Sequence, residues 1–276
     1  MPILHVVIPF VALGFLGAAF AILLAVSYRF LAVKGDPKLE LFISILPGSN
    51  CGACGHTGCL GFAEALVKEG ADPSGCLAGG AAVAARLAEA VGVAMQAQDE
   101  LVAFVACRAG RKTAKRKYHY VGVNNCQAAS LLFGGDKCCD YGCIGLGSCV
   151  RACPFDAITI TEEGLAVVNS AKCRACRKCV KACPTKVISM VPKRQTVFVA
   201  CKNLDKGRRA KEVCAMACIA CRICEKNCPA DAIAVVNNLA VIDYTKCTRC
   251  GICVEKCPQK SLILITAGET VEAPVA

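Results

Sequence analysis

Tryptophan is absent from this chain of 276 residues, and aromatic residues make up only 5% of it. Much of the 55% hydrophobic fraction therefore comes from alanine, valine, isoleucine and cysteine. Small side chains bury little surface each, so we expect bound metal to stabilise much of the fold. The 25 cysteines favour several small metal-binding modules over one large domain.

The sequence also lacks the common signatures of an enzyme active site. No G-x-G-x-x-G follows a strand-like segment, so we identify no flavin or nicotinamide site. No Ser/His/Asp set or pair of carboxylates stands out either, and we predict no catalytic residue in this chain. The cysteine motifs below point instead to electron transfer.

Basic residues outnumber acidic ones by 32 to 21, a formal net charge of +11 with every cysteine counted as neutral. A [4Fe–4S] core bound by four thiolates carries a charge of about −2, so six such clusters would bring the total to about −1. The basic residues are then largely counter-charge for clusters. We therefore predict no nucleic-acid partner.

Residues 3–28 contain no Lys, Arg, Asp or Glu. A run of about 26 apolar residues is long enough to cross a bilayer, and it lacks the basic start of a signal peptide. Arg29 and Lys34 follow the run, whereas no Lys or Arg precedes it. The positive-inside rule then predicts a single-pass anchor in a prokaryotic cell membrane, with the rest of the chain on the cytoplasmic side.

A first group of cysteines lies just after the anchor. Cys51, Cys54 and Cys59 follow one another in a glycine-rich loop, and Cys76 follows a helix-like stretch. Four thiols in a loop that wraps closely suit a [4Fe–4S] cluster, here called cluster 1. A tetrahedral zinc site has the same ligand number and is the alternative. A second helix is predicted over residues 81–98.

Three C-x2-C-x2-C-x3-C-P runs carry the strongest signal, and their spacing argues against disulfides. In this motif the first three cysteines bind one cluster and the fourth binds the other cluster of a pair. The last two runs therefore predict cluster 4, held by Cys218, Cys221, Cys224 and Cys257, and cluster 5, held by Cys228, Cys247, Cys250 and Cys253. Between these runs, two apolar segments around Asn237-Asn238 predict a β-hairpin.

Two cysteine runs with a hairpin between them are the pattern of a bacterial-type ferredoxin unit. The same arrangement occurs about 75 residues earlier, so the unit is an internal repeat. Its own C-x2-C-x2-C run predicts cluster 3, held by Cys153, Cys173, Cys176 and Cys179. Its opening run has wider gaps. We predict cluster 2 there, held by Cys139, Cys143, Cys149 and Cys183, with Cys138 as the alternative to Cys139.

Five clusters leave five cysteines, of which four could hold a sixth. Cys107 and Cys201 each end a strand-like run, and Cys126 and Cys214 follow within about 20 residues. A sixth cluster held by Cys107, Cys126, Cys201 and Cys214 is one interpretation. Buried, inert thiols are the other.

These features predict an α+β chain with a transmembrane helix, a small α-rich cluster module and two tandem bacterial-type 2[4Fe–4S] ferredoxin units. The predicted parts are an anchor, a four-cysteine [4Fe–4S] module, a linker and strand segment with possible extra cluster ligands, ferredoxin unit 1, a connecting segment, and ferredoxin unit 2 with its tail. Their boundaries are 1–34, 35–98, 99–135, 136–192, 193–216 and 217–276.

This order of parts resembles the B subunit of the Rnf complex, the ion-translocating ferredoxin:NAD⁺ oxidoreductase, in its long polyferredoxin form. The most specific part of the resemblance is the motif Pro47-Gly48-x2-Cys51-Gly52-x-Cys54-Gly55-x2-Gly58-Cys59. The resemblance implies a chain that accepts electrons from reduced soluble ferredoxin and passes them to the other Rnf subunits in the membrane. The complex couples this flow to Na⁺ or H⁺ movement, so the chain would be one component of a translocase.

Three other functions remain as alternatives: a polyferredoxin that stores electrons, an electron-transfer subunit of another membrane oxidoreductase, and a zinc-binding scaffold. Zinc would give a colourless protein, whereas [4Fe–4S] clusters give a brown one. If the protein only stores electrons, deletion of residues 1–34 should leave physiological electron flow unchanged. If it is an anchored electron carrier, the deletion should uncouple that flow from the membrane.

Overall fold

The computed structural model describes residues 2–31, 36–93 and 100–265. The chain divides into two compact units, Met1–Leu41 and Phe42–Ala276. Lys34, which supported the predicted orientation of the anchor, and residues 94–98 of the second predicted helix lie outside the described residues, as does the tail after residue 265.

The first unit contains one long apolar helix, α1 (Pro2–Leu31). Its segment Phe10–Phe30 has a mean hydropathy of 2.4, and none of that segment is buried within the structure. Apolar side chains such as Phe15, 77% exposed, therefore have no protein core to pack against. By length and composition α1 could cross a membrane. A short helix, α2 (Pro37–Ile45), follows it.

The second unit begins with a small helical module. Its helices are α3 (Gly58–Lys68) and α4 (Gly80–Val91), with a 3₁₀ turn at Pro73–Gly75 between them. Phe62 and Leu87 are among its fully buried side chains. Helix α4 ends at Val91, inside the range predicted for one helix over residues 81–98. Gly92 has φ of +81°, and it adopts the left-handed conformation that commonly ends a helix.

The remainder of this unit consists of short helices and four two-stranded antiparallel sheets. The strands are β1 (Leu101–Val105), β2 (Ile158–Ile160), β3 (Ala166–Val168), β4 (Ile188–Pro192), β5 (Val197–Val199), β6 (Ile233–Val236), β7 (Leu239–Ile242) and β8 (Leu262–Leu264). The helices are α5 (Cys126–Ser130), α6 (Ser148–Arg151), α7 (Lys178–Ala182), α8 (Gly207–Val213), α9 (Ile223–Lys226) and α10 (Ile252–Glu255).

The sheets repeat the same pairing in two halves. β2 pairs with β3 and β6 pairs with β7 as hairpins, while β1 pairs with β4 and β5 pairs with β8 around them. The predicted hairpin is confirmed at β6 and β7, whose turn residues Asn237 and Asn238 have φ of +50° and +63°. Such values are those of a type I′ turn, which matches the twist of paired strands. β1 and β5 lie in the strand-like runs predicted before Cys107 and Cys201, and each pairs with the last strand of its half.

Two phenylalanines join the halves. Phe104 on β1 stacks on Phe198 on β5, with ring centroids 4.6 Å apart and planes at 20°. Phe198 also contacts Tyr244 edge-on at 6.4 Å. Both phenylalanines are only 2% exposed, in a core otherwise built largely of alanine, valine and isoleucine. This contact fixes the ends of β1 and β5 next to each other.

Candidate metal centres

The second unit brings cysteines together in six groups of four. We name them site I (Cys51, Cys54, Cys59, Cys76), site II (Cys126, Cys143, Cys149, Cys183), site III (Cys153, Cys173, Cys176, Cys179), site IV (Cys218, Cys221, Cys224, Cys257), site V (Cys228, Cys247, Cys250, Cys253) and site VI (Cys107, Cys139, Cys201, Cys214). Four of the groups line a cavity. The other two are defined by the mutual influence of their thiols.

Sites IV and V are the two cavities of the C-terminal half. One is lined by the four cysteines predicted for cluster 4, and the other by the four predicted for cluster 5. The fourth cysteine of each run thus lies with the first three of the other run. The structure brings together both predicted sets.

The backbone of these runs explains why three thiols converge. Ala220 and Arg222 flank the second cysteine of one run with φ of +55° and +59°, and Ala175 and Arg177 do so in the earlier run with +53° and +60°. Alternating left-handed residues curl the chain and turn successive N–H groups inwards, forming a concavity suited to an anion. Non-glycine residues rarely adopt such φ values, and their repetition indicates a constraint from the site.

Sites I and III also match the predicted sets. Burial raises the pKa of the Cys76 thiol, and its neighbours Cys59, Cys54 and Cys51 raise it further. At site III, burial raises the pKa of Cys179 to about 12, with further contributions from Cys173, Cys176 and Cys153. Thiolates influence one another in this way only when they are close. Each predicted set is therefore grouped in space.

Sites II and VI differ from the predicted sets by one exchange. Cys126, predicted for the sixth cluster, lines the cavity of site II with Cys143, Cys149 and Cys183. Cys139, predicted for cluster 2, lines the cavity of site VI with Cys107, Cys201 and Cys214. Cys138 lines neither cavity, and its backbone N–H donates to the carbonyl of Lys115 at 2.8 Å.

Local hydrogen bonds explain how Cys126 reaches site II. Asn125 caps α5 by accepting from the N–H groups of Gln127 and Ala128 at 2.8 and 3.4 Å. The hydroxyl of Ser148, at the start of α6, accepts from the N–H of Cys126 at 2.8 Å. Since α6 also carries Cys149, this bond holds the two cysteines beside each other. Sequence spacing gave no sign of this link between α5 and α6.

Site VI forms where the two halves meet. Cys107 and Cys201 each stand three residues after one of the stacked phenylalanines, in two identical stretches of sequence, Phe-Val-Ala-Cys. Stacking of Phe104 on Phe198 therefore brings both cysteines to one cavity. The strand-like runs that end at these two cysteines were the sequence signal that linked Cys107 to Cys201. No comparable signal distinguished Cys139 from Cys126.

Hydrogen bonds to sulfur occur at most of the sites. The N–H groups of Ala157 and Ala232 donate to Cys153 and Cys228 at 3.4 and 3.3 Å, at equivalent positions of the two halves. The buried side chain of Gln195 donates to Cys247 at 3.2 Å. Such bonds set the reduction potential of iron–sulfur clusters. They accompany the thiols as expected for cluster ligands.

Burial makes these thiols poor acids by themselves. It raises the pKa of Cys149 to about 12 and of Cys201 to about 12. An iron ion favours the thiolate and offsets this effect. The described residues include no group of three or more His, Cys, Asp or Glu side chains drawn together tightly enough for a single metal ion. Four thiols around a cavity, with amide donors, fit a [4Fe–4S] cluster as the bound group.

Comparison with known proteins agrees with this geometry. Residues 46–78 match a family model described as a putative Fe-S cluster. Residues 137–187, 172–233 and 217–262 match models of a 4Fe-4S dicluster domain. Cys107 and Cys126 lie outside all of these ranges, so one ligand each of sites II and VI belongs to no matched motif.

Three similar proteins cover most of the chain. The B subunit of the Na(+)-translocating ferredoxin:NAD(+) oxidoreductase complex of Acetobacterium woodii is 44% identical, over 88% of this chain and 73% of that protein. The B subunit of the ion-translocating oxidoreductase complex of Methanosarcina acetivorans is 42% identical, over 90% and 94%. The B subunit of the proton-translocating ferredoxin:NAD(+) oxidoreductase complex of Clostridium ljungdahlii is 38% identical, over 88% and 86%.

Proposed function

Because the chain belongs to the family of B subunits of ion-translocating ferredoxin:NAD(+) oxidoreductase complexes, we propose that it conducts electrons through six [4Fe–4S] clusters held at sites I–VI. The chain is an iron–sulfur electron-transfer subunit of a membrane-associated oxidoreductase and translocase. The six ligand sets use 24 of the 25 cysteines and leave Cys138 free. The observation that supports this proposal most directly is that four cysteines line a cavity at each of sites II and VI, where the sequence patterns were weakest.

The order of the sites supports conduction rather than storage. Cys51 of site I influences the pKa of Cys176 at site III, and Cys179 of site III influences that of Cys149 at site II. Site I therefore adjoins site III, and site III adjoins site II.

The same order continues into the C-terminal half. Cys107 of site VI is close enough to influence the pKa of Cys143 at site II. The N–H of Cys218, a ligand of site IV, donates to the sulfur of Cys201 at site VI at 3.3 Å. Helix α9 carries Cys224 of site IV and leads directly to Cys228 of site V. The proposed sequence of sites is thus I, III, II, VI, IV and V.

A bound [4Fe–4S] cluster supplies one-electron oxidation and reduction. The chain's own residues hold the clusters in this order, bury nine of the thiols and cover most of the others in part, and donate hydrogen bonds to them. One unbranched path for electrons connects the six sites in this order. A single row of clusters lets an electron enter at one end and leave at the other.

The family and helix α1 support a proposal for the side of the membrane on which the clusters lie and for the electron donor. We propose that α1 anchors the chain, that the clusters face the cytoplasm, and that reduced soluble ferredoxin is the electron donor. The electron acceptors would be the other subunits of the complex in the membrane. The tandem ferredoxin arrangement and the boundaries at 1–34, 35–98, 99–135, 136–192, 193–216 and 217–276 stay predictions.

Iron content of protein purified from membranes without air tests the number of clusters. Six clusters predict about 24 iron and 24 sulfide per chain, whereas five predict about 20. A zinc scaffold would contain zinc and no acid-labile sulfide.

A matched pair of variants tests whether Cys126 is a ligand and Cys138 is not. Cys126→Ala should lose between about one and four iron, because a cluster with three ligands loses one iron or dissociates. Cys138→Ala should keep the full content. Full iron in Cys126→Ala together with loss in Cys138→Ala would overturn the proposed ligand sets.

A further inference from the structure

Buried polar side chains are few in the second unit, and most of them lie beside cysteines. The buried polar and charged residues are Arg108, Asp136, Lys137, Gln195, Asn203 and Ser261. Three of them, Arg108, Lys137 and Asn203, line the cavity of site VI, and Lys202 lines it too. Among the described residues, no Lys, Arg, Asn or Gln lines the cavity of site II, whose polar side chains besides the cysteines are the hydroxyls of Ser148 and Thr185. Neighbouring sites thus have very different walls.

Lys137 places a cation in the wall of site VI. Its side chain is buried, at 5% exposure, and its Nζ donates to the carbonyl of Ala109 at 2.8 Å. In the described part of the chain no carboxylate pairs with it, and the adjacent Asp136 pairs with Arg116 at 3.4 Å. A buried ammonium without an anion costs several kcal/mol, roughly. The thiolate-rich group expected at site VI is the anion that can offset this cost.

Asn203 directs amide hydrogens at two ligands of the same site. It is 1% exposed, and its Nδ2 donates to the sulfur of Cys139 at 3.4 Å. Its backbone N–H donates to the sulfur of Cys201 at 3.4 Å. Its Oδ1 accepts from the N–H of Asp205 at 2.6 Å, which fixes the orientation of the amide. The NH₂ group therefore points to sulfur.

One-electron reduction adds one negative charge to a cluster and forms or breaks no bond. A nearby cation and N–H donors to sulfur stabilise the reduced form and so raise the reduction potential. The effect is large where water is excluded, since charges in a medium of low dielectric interact strongly. Site II also has backbone N–H donors to sulfur, from Ala166 to Cys143 and from Val150 to Cys149. Lys137 partly offsets the burial that raises the pKa of Cys143, although it does not line that cavity. Of these two sites, among the described residues, only site VI has a wall with buried cations and a side-chain amide that donates to a ligand sulfur.

We propose that Lys137 and Asn203 are positioning residues that raise the reduction potential of the cluster at site VI above that of the cluster at site II. The inference rests on the proposed six-cluster function. Its consequence is that an electron passing from site II to site VI moves downhill, with the cluster at site II oxidised by one electron and that at site VI reduced by one. Electrons would collect in the middle of the row, where the two halves meet.

Redox titration of the anaerobically purified full chain, followed by electron paramagnetic resonance, tests the proposal. Lys137→Met should make reduction of one cluster at least about tenfold less favourable, which corresponds to about 59 mV for one electron. Lys137→Arg should restore most of the potential. Asn203→Leu should shift the same signal in the same direction by a smaller amount. Lys115→Met, which removes an exposed lysine, is the matched control and should shift no signal.

Cys214→Ser identifies which signal belongs to site VI. If this variant changes no signal and loses no iron, the ligand set of site VI fails, and the proposed function fails with it. If it changes one signal that Lys137→Met and Asn203→Leu leave at its original potential, only the tuning proposal is overturned. Loss of the site VI iron in both Lys137→Met and Asn203→Leu would also overturn it, because the two residues would then be structural. If Lys137→Met alone loses iron, the test is the potential of the site VI signal in Asn203→Leu: a lower potential supports the proposal and an unchanged potential overturns it.

Discussion

Truncation of Phe104 to alanine should remove the cluster at site VI while sparing the clusters far from the junction of the halves. Phe104 and Phe198 are each 2% exposed and stack at 4.6 Å. Replacing a buried phenylalanine with alanine costs about 3–5 kcal/mol, because apolar contacts are lost and a cavity forms. The stacked pair adds about 0.5–1.5 kcal/mol beyond its buried area. Folding free energies of domains are only about 5–15 kcal/mol, so the junction should loosen substantially.

Site VI is the most sensitive reporter of this loosening. Cys107 and Cys201 come from different halves and reach the same cavity only because the two strands end side by side. Iron should therefore fall from about 24 to about 20 per chain in Phe104→Ala, with the acid-labile sulfide falling in parallel. Sites I and V lie at the two ends of the proposed row and should keep their clusters.

The assay has two measurements. The first is the iron and sulfide content after anaerobic purification, and the second is the guanidinium concentration at which the cluster absorbance is lost. Phe198→Ala should behave like Phe104→Ala, and the double variant should cost less than both single changes combined, since the stacked pair is lost only once. Phe133→Ala, which truncates a side chain 82% exposed, is the control. Full iron and an unchanged midpoint in Phe104→Ala would refute the role given to the stacked pair.

Three further changes have distinct expected outcomes. Gly145→Ala should lose iron at site II, because φ is +84° and an added Cβ would clash with the backbone carbonyl oxygen of Gly164. Gly251→Ala, at φ +78°, meets open space and should cost only about 1 kcal/mol. Iron analysis and guanidinium unfolding distinguish the two variants, and equal behaviour would contradict the steric argument. Asn125→Ala should destabilise α5 by about 0.5–2 kcal/mol and speed the release of iron to a chelator, as a lost helix cap would. Removal of α1 should move the chain from the membrane fraction to the soluble fraction with its iron retained, and continued membrane association would argue against α1 as the anchor.

The sequence predicted most of the site wherever the ligands lie in one continuous motif. The grouping of Cys218, Cys221 and Cys224 follows from spacing alone, because three cysteines within seven residues share one loop. The reciprocal fourth ligand and the hairpin at Asn237 follow from the repeat. In each case the contacting residues are close in sequence or occur in both copies of the repeat, so the sequence pattern predicts their arrangement.

The exchange of Cys126 and Cys139 could not be predicted in the same way. Which of the two joins Cys143 depends on a hydrogen bond between Ser148 and the N–H of Cys126, and on the packing of β1 against β4. These contacts join segments more than 20 residues apart and leave no periodic signal. The buried position of Lys137 was equally hidden, because a lysine beside a cysteine run normally indicates a solvent-exposed charge.

Duplication of the ferredoxin half explains why site VI exists at all. Each half carries one strand that ends in Phe-Val and is followed by Ala-Cys, and that strand pairs with the last strand of the same half. One such strand offers a single cysteine, which is too few to hold a cluster. When two halves associate through the two phenylalanines, the two cysteines meet, and Cys139 and Cys214 from neighbouring loops complete a set of four. A cluster at this junction would connect the rows of the two halves, so loss of the stacked pair should interrupt electron transfer between site II and site IV even where both keep their own iron.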